Sequence, residues 1–278
     1  MRIHTAGRLG NQLFSWAFAH YLAGNTQKVQ LITEYPLLES NSFLSECDHV
    51  VTKQIDFALR LKIKFFFKFY YKFPKRRELI SKIFRASTEP ELYNLNSAQD
   101  YFGFFQKFNY VDEVSETIVN ELRLFLKLVD LPKPFVTWSD EGPYQCFHIR
   151  RGDYLLPENA GYGLLDLDWY LTNSDRTLPT VVVTDDKMTS QDLIAAIGEC
   201  LVLGPDEADP VQALAIMANS NHLVAANSTL SWWGGFMVAK RGYSVVYPFT
   251  ETEAHRDINS PLFILRDGTF EPRNTTIP

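Results

Sequence analysis

The residues of this 278-residue chain best equipped for chemistry stand together as His148-Ile149-Arg150-Arg151-Gly152-Asp153-Tyr154. An apolar, strand-like run from Tyr144 to Ile149 leads into them, and Gly152 breaks the chain just after. Arginine keeps its charge at any physiological pH, and its planar fork matches a phosphate or carboxylate through two parallel hydrogen bonds. Adjacent arginines at the carboxyl end of a strand are costly unless an anion is met there. In open α/β sheets ligands bind outside the carboxyl ends of the strands. The segment reads as a diphosphate clamp flanked by a histidine and an aspartate. The alternative is a purely structural arginine paired with Asp153.

Other strand-like runs also end in polar residues. Val181-Val182-Val183 runs into Thr184-Asp185-Asp186, and His222 to Ala226 runs into Asn227-Ser228-Thr229, ahead of a helix holding Ser231-Trp232-Trp233. With Arg150, these place guanidinium, carboxylate and hydroxyl groups on one sheet edge. Asp185 suits the N–H face of guanine or a ribose hydroxyl, while Ser228 and Thr229 at a helix start suit an anion. Helix capping is the bland reading of both, and capping is compatible with phosphate binding. Near the start, Gly7-Arg8-Leu9-Gly10-Asn11-Gln12 joins a short strand to a helix, as a backbone does where it approaches a ligand closely. Its glycines do not have the dinucleotide-binding spacing. Asp166-Leu167-Asp168 together with Asp185 and Asp186 is a weak metal pattern, and fixed arginine charges make a metal dispensable. No Ser-His-Asp order, HExxH or Walker A loop occurs. Asp153 is the candidate general base, with pairing to Arg151 as its other role.

The elements that must position these groups follow from periodicity. Strands are expected at 144–149, 180–184, 200–203, 221–226 and 243–247, with helices at about 166–176, 190–198, 209–219 and 229–240. Asp209-Pro210 supplies a helix start and Gly242 a stop. This alternation predicts a doubly wound parallel sheet. In the N-terminal half, Leu13, Phe14, Ala17, Phe18, Tyr21 and Leu22 recur at helical spacing ahead of Gly24. Residues 29–33 read as a strand, and Tyr35 to about Gln99 as an irregular lid or insertion. Tyr101-Phe102-Gly103-Phe104-Phe105-Gln106-Lys107 reads as a strand entering a loop, and Val111 to Val129 as one helix. Leu131-Pro132-Lys133-Pro134 reads as a linker, so the domains are expected at 1–140 and 141–278.

Composition narrows the function classes. A hydrophobic content of 46% is ample for a core, and a net charge of −6 argues against a general nucleic-acid binder. Cys47, Cys146 and Cys200 have no metal or disulfide spacing, which suits a reducing compartment. With no long apolar run, the expectation is a cytoplasmic protein, soluble or peripheral on the inner face of the membrane. Residues Arg60 to Arg85 hold ten basic residues and one acidic residue, a net of +9 that leaves −15 for the remainder. Arg60, Lys64, Lys68, Lys72 and Arg76 recur every fourth residue beside Leu61, Phe65, Phe66, Phe69, Tyr70 and Phe73. That is either a membrane-surface helix or a packed helix with solvated lysines.

Taken in order, Gly7-x-x-Gly10-Asn11-Gln12, Gly103-Phe104-Phe105-Gln106, His148-x-Arg150-Arg151-Gly152-Asp153-Tyr154, Thr184-Asp185-Asp186 and Asn227-Ser228-Thr229-x-Ser231-Trp232-Trp233-Gly234 resemble the bacterial α-1,2-fucosyltransferase family. The resemblance implies a GT-B-like architecture of two Rossmann-like domains, the C-terminal one binding GDP-β-L-fucose and the N-terminal one serving the acceptor. It implies inverting transfer to the 2-hydroxyl of a galactose-type glycan without a required metal or cofactor. By motif, Arg150 would hold the β-phosphate, with His148 and Asp185 at the guanosine. Arg151, Asn227, Ser228 and Thr229 would complete the donor site. Asn11 would orient the acceptor hydroxyl or the phosphate, with Arg8 and Gly10 nearby. The competing readings are a transferase of another nucleotide sugar and a membrane scaffold built around Arg60 to Arg85.

Overall fold

The computed structural model describes residues 1–5, 7–24, 29–33, 50–54, 57–88, 100–106, 108–139, 142–157, 164–248 and 273–274. Cys47, Lys107 and the side chains of Arg60 and Tyr70 lie outside the described residues. The chain forms two compact units, Met1–Ser115 and Glu116–Pro278, each an α/β layer structure on a largely parallel sheet. This is the GT-B-like class expected, with two Rossmann-like units.

The first unit carries β1 (Arg2–His4), α1 (Leu9–Ala23), β2 (Val29–Thr33), β3 (Val50–Gln54), α2 (Phe57–Lys72), α3 (Arg77–Phe84), β4 (Ala86–Thr88), β5 (Asp100–Phe102) and α4 (Phe108–Glu113). Its strands lie in the order β3-β2-β1-β5-β4, all parallel. Helix α1 buries Leu13, Phe14, Trp16, Ala17 and Phe18 completely, as an apolar helix in a core must. Gly24 ends it at φ 49°, its N–H donating to the His20 carbonyl. The stretch read as irregular from Tyr35 to Gln99 holds the expected basic helix as α2, and contributes β3, β4 and α3 besides. The strands escaped notice because Val50-Val51-Thr52-Lys53-Gln54 is only half apolar and β4 is three residues long. Phe66, Ile80, Ala86 and Phe102 form one small core that fastens α2 and α3 to the sheet.

The second unit carries α5 (Ser115–Lys127), α6 (Lys133–Ser139), β6 (Gln145–Ile149), α7 (Leu167–Thr172), β7 (Thr180–Thr184), α8 (Gln191–Ile197), β8 (Leu201–Leu203), α9 (Pro210–Asn219), β9 (His222–Val224), α10 (Thr229–Lys240), β10 (Ser244–Tyr247) and β11 (Arg273–Asn274). These bounds follow the sequence reading closely. The order is β11-β10-β9-β6-β7-β8, parallel except for β11. Asp209 caps α9 through the N–H groups of Val211 and Gln212, with Gln212 completing a capping box. The helix expected from Val111 to Val129 is two, parted at Val114, because Ser115 with Glu116 is itself a helix start. The expected linker at Leu131–Pro134 leads directly into α6, and the Asp130 carbonyl accepts from Gln212 Nε2 at 2.6 Å. Helices α5 and α6, placed before the expected boundary at 140, are counted with this unit.

Candidate active site

In the second sheet the winding reverses between β6 and β9, which pair with Phe147 opposite Val224. That switch point, at the carboxyl ends, is where a ligand crevice forms in such sheets. Arg150 leaves β6 there. Its Nη1 lies 2.9 Å from Asp185 Oδ2 and its Nη2 lies 2.5 Å from Asp153 Oδ1. Its guanidinium carbon sits 5.1 Å from the centre of the Tyr154 ring, and 15% of its side chain is exposed. Tyr154 donates in turn to the Asn227 carbonyl at 2.7 Å, joining the β6 loop to the loop after β9. The fork is thus aimed by two carboxylates and an aromatic face.

Asp185 also shapes the backbone. Its Oδ1 accepts from the N–H groups of Arg151 at 2.8 Å and Gly152 at 3.3 Å, pinning the turn after β6 to the end of β7. A Cβ on Gly152 would stand 2.5 Å from Asp185 Oδ2, so only glycine admits this approach. Asp153 pairs with Arg150, the partner given for it in the structural alternative. Asp153 opens the short 3-10 turn Asp153–Leu155.

His148 is buried at 3% exposure, its Nδ1 hydrogen-bonded to Ser231 Oγ. Ser231 Oγ also accepts from the Ala226 N–H at 3.1 Å. Burial and the nearby Arg150 charge drive the imidazole pKa down to about 3, so the ring is neutral. As placed here His148 ties β6 to α10. Ser228 caps α10, its Oγ accepting from Leu230 N–H at 3.2 Å and Ser231 N–H at 3.4 Å, and half-buried Thr229 begins the first turn. This helix end adjoins the switch point and adds its partial positive charge. Trp232 and Trp233 are fully buried core residues. A Cβ on Gly235 would fall 1.8 Å from the Tyr247 hydroxyl, so Gly235 is a packing requirement.

The metal pattern is dispersed into local bonds. Asp166 caps α7 through Trp169 N–H at 2.9 Å, and Asp186 accepts from Met188 N–H at 2.9 Å. Among the described residues no group of three His, Cys, Asp or Glu gathers as a metal site. Cys146 is buried and Cys200 half-buried, both free.

The first unit has its own switch point, between β1 and β5. Gly7 turns there at φ 79°, and a Cβ on it would meet Asn11 Nδ2 at 2.3 Å. Gln12 Nε2 donates to the Gly7 carbonyl at 3.2 Å, and Gln106 Nε2 donates to Asn11 Oδ1 at 2.7 Å. Phe105, at φ 52°, holds a left-handed backbone while its ring stacks on Phe18 with centroids 4.2 Å apart. Strain of this kind persists only where packing over-determines it. The two motifs, 95 residues apart, thus act as one device that fixes the Asn11 amide. Arg8 is exposed at the N-cap position of α1, and Gly10 is buried in its first turn.

Sequence reasoning missed two features. Tyr154, inside the quoted motif, is the brace under Arg150. Asp100, wholly buried at the amino ends of β1 and β5, gathers Arg2 (Nε at 2.6 Å, Nη2 at 2.9 Å), His4 (3.0 Å) and Lys62. Desolvation opposes its charge, yet the bonds to His4, Arg2 and Lys62 hold its carboxyl well below the usual carboxylate range. Each of these residues is unremarkable in the sequence; strand pairing brings Arg2 and His4 to Asp100, and the packing of α2 brings Lys62.

Two Rossmann-like units, the second with an arginine and a helix N-terminus at the strand ends beside its switch point, are the layout of a GT-B-like glycosyltransferase. A family model described as glycosyl transferase family 11 matches residues 1–261, and the chain belongs to that family. It is 23% identical over 160 residues to the O-antigen biosynthesis glycosyltransferase WbnK of Escherichia coli, covering 53% of this chain and 53% of that protein. It is 28% identical over 102 residues to galactoside alpha-(1,2)-fucosyltransferase 1 of Saimiri sciureus, covering 32% of this chain and 27% of that protein. The match thus spans about half the length of the first curated relative and less of the second. Among solved structures, the fucosyltransferase NodZ from Bradyrhizobium superposes with a TM-score of 0.49 at 13% identity, over 90% of this chain and 94% of that one.

Proposed function

We propose that the protein transfers L-fucose from GDP-β-L-fucose to the 2-hydroxyl of a galactose-type residue, with inversion to an α-1,2 linkage and without a required metal. The observation that carries this reading is the braced Arg150 at the second unit's switch point, beside the α10 N-terminus. The family membership and the motif pair around Arg150 and Ser228 support the donor, and the name of the primate relative supports the linkage.

In this reaction the bond from the anomeric carbon to the β-phosphate oxygen breaks. The acceptor oxygen bonds the opposite face of that carbon, and its proton passes to water. Negative charge grows on the departing diphosphate, where a preorganised guanidinium and a helix N-terminus stabilise it most. Arg150 is assigned the β-phosphate, Arg151, Ser228, Thr229 and Asn227 the remaining donor contacts, and Asp185 the loop that presents them. Asp153, bonded to the guanidinium, is assigned a positioning role. Asn11, held by Gln106, is assigned to the acceptor hydroxyl or the phosphate, with Arg8 and Gly10 at its side.

The test is release of GDP from GDP-fucose across a panel of β-galactosides, with EDTA present. Acceptor-dependent release that survives EDTA is the expected result. GDP binding without release, or turnover only with GDP-mannose or a UDP-sugar, overturns the donor and acceptor assignment, and no GDP binding overturns the whole reading.

A further inference from the structure

The basic segment carries a second inference that does not depend on the reaction. Helix α2 is fixed to the first unit by one face only: Leu59 and Phe66 are buried, Ile63 and Phe67 pack beside them, and Lys62 pairs with buried Asp100. The outward face bears two neighbouring stripes. Leu61, Phe65, Phe69 and Phe73 recur every fourth residue at 39%, 47%, 38% and 40% exposure. Lys64, Lys68 and Lys72, also exposed, run alongside at the same spacing. Phe69 lies near Phe73, and on α3 Leu79 and Ile83 are likewise exposed, at 55% and 68%.

Lysines alone would be an ordinary solvated face, and a lone exposed phenylalanine would need no explanation. An unbroken aromatic stripe bordered by lysines is different, because it offers apolar area and positive charge to the same flat partner. Charge selects that partner. The segment is a +9 island on a chain whose remainder is −15, so an anionic sheet attracts this face and repels the rest. Among the described residues no helix is long and apolar enough to cross a membrane, so the contact lies on the surface.

We propose that the outer face of α2 and α3 seats the protein on an anionic lipid bilayer. The Leu61-to-Phe73 stripe enters the headgroup region and Lys64, Lys68 and Lys72 meet lipid phosphates. The test is co-sedimentation of the full chain with vesicles of phosphatidylcholine alone or mixed with phosphatidylglycerol, together with a salt titration. Binding is expected only with phosphatidylglycerol and falls as salt rises. The triple variant Lys64→Gln, Lys68→Gln, Lys72→Gln should bind about 100-fold more weakly, roughly fivefold per charge. Phe65→Ser with Phe69→Ser should weaken binding on the same vesicles while the circular dichroism of the folded protein is kept. Binding that ignores lipid charge or salt overturns the proposal, as does no vesicle binding by the unmodified chain. Concentration-dependent self-association abolished by Phe65→Ser, without vesicle binding, assigns the face to a second copy instead.

Discussion

Replacing Asp185 tests whether one carboxylate both aims the arginine and shapes the loop around it. In Asp185→Ala the N–H groups of Arg151 and Gly152 lose an acceptor, and Arg150 loses one of its two carboxylates. A lost hydrogen bond of this kind costs about 1 kcal/mol, which gives about 2 kcal/mol for the backbone. The ion pair is 15% exposed on each side and Arg150 retains Asp153, so its loss adds about 1 to 2 kcal/mol rather than the larger cost of a fully orphaned charge. The alanine variant should lose about 3 to 4 kcal/mol. Asp185→Asn keeps an oxygen for the two N–H groups and gives up only the charge, so about 1 to 2 kcal/mol is expected. Urea titration followed by tryptophan fluorescence suits the measurement, because Trp138, Trp169, Trp232 and Trp233 all lie in the second unit. A lower midpoint at unchanged slope gives the stability change directly. Equal losses in the two variants, or less than about 1 kcal/mol in the alanine variant, would refute the account of the loop.

Three further outcomes follow from the same geometry. Arg150→Ala should lower acceptor-dependent GDP release by about a thousandfold, and Arg150→Lys should restore little because the fork is lost; an alanine variant keeping a tenth of the activity would dismiss the clamp. Gly7→Ala places a side chain at φ 79° and against Asn11 Nδ2, so a loss of about 1 to 3 kcal/mol should appear as a lowered thermal midpoint, and an unchanged midpoint would show that the turn yields freely. Acid should loosen the first unit in two steps, through His4 below about pH 6.5 and through Asp100 below about pH 3.9. The Asp100 carboxyl is held low, so its contribution is complete above the unfolded value of about 3.9 and fades as pH falls toward the folded one; His4, its pKa lowered chiefly by burial, removes stability in the same direction below about 6.5. Hydrogen exchange at β1 and β5 as a function of pH reads this directly: protection that is flat from pH 7 to about 4 would contradict the His4 part, and protection unchanged below about 3.9 the Asp100 part.

The second unit was legible because its signals are local. Val181-Val182-Val183 is a buried parallel strand by composition alone, and Asp209-Pro210 and Ser228 announce their helices through bonds to N–H groups two or three residues away. The first unit was legible in β1, α1, β2, the basic helix α2 and β5, but not in β3 and β4. Strands β3 and β4 owe their place to pairing with β2 and β5, which no residue within them encodes. The site divides along the same line. Arg150 and Asp153 stand three apart and could be paired from the sequence, whereas the Gln106–Asn11 bond joins residues 95 apart and the Asp185 bond to the Arg151 N–H joins residues 34 apart. His148 is the instructive case. The motif shows that it stands at the strand end, but its bond to Ser231, 83 residues away, appears only once β6 and α10 are packed together.

That comparison also explains why glycine, rather than a charged residue, marks both switch points. At each one a polar side chain is brought against the backbone at a distance no Cβ tolerates: the Asn11 amide at 2.3 Å from the position a Cβ would take on Gly7, and the Asp185 carboxylate at 2.5 Å from the one on Gly152. In both places that side chain is held from elsewhere in the chain, by Gln106 in the first unit and by Arg150 and two N–H groups in the second. The glycine therefore sets where the polar group can stand, and the long-range bond sets which way it faces. Gly152→Ala should accordingly disturb the aim of Arg150 more than Asp185→Asn does, because the added Cβ displaces the Asp185 side chain whereas the amide keeps its place and gives up only the charge; acceptor-dependent GDP release that falls equally in the two variants would contradict this.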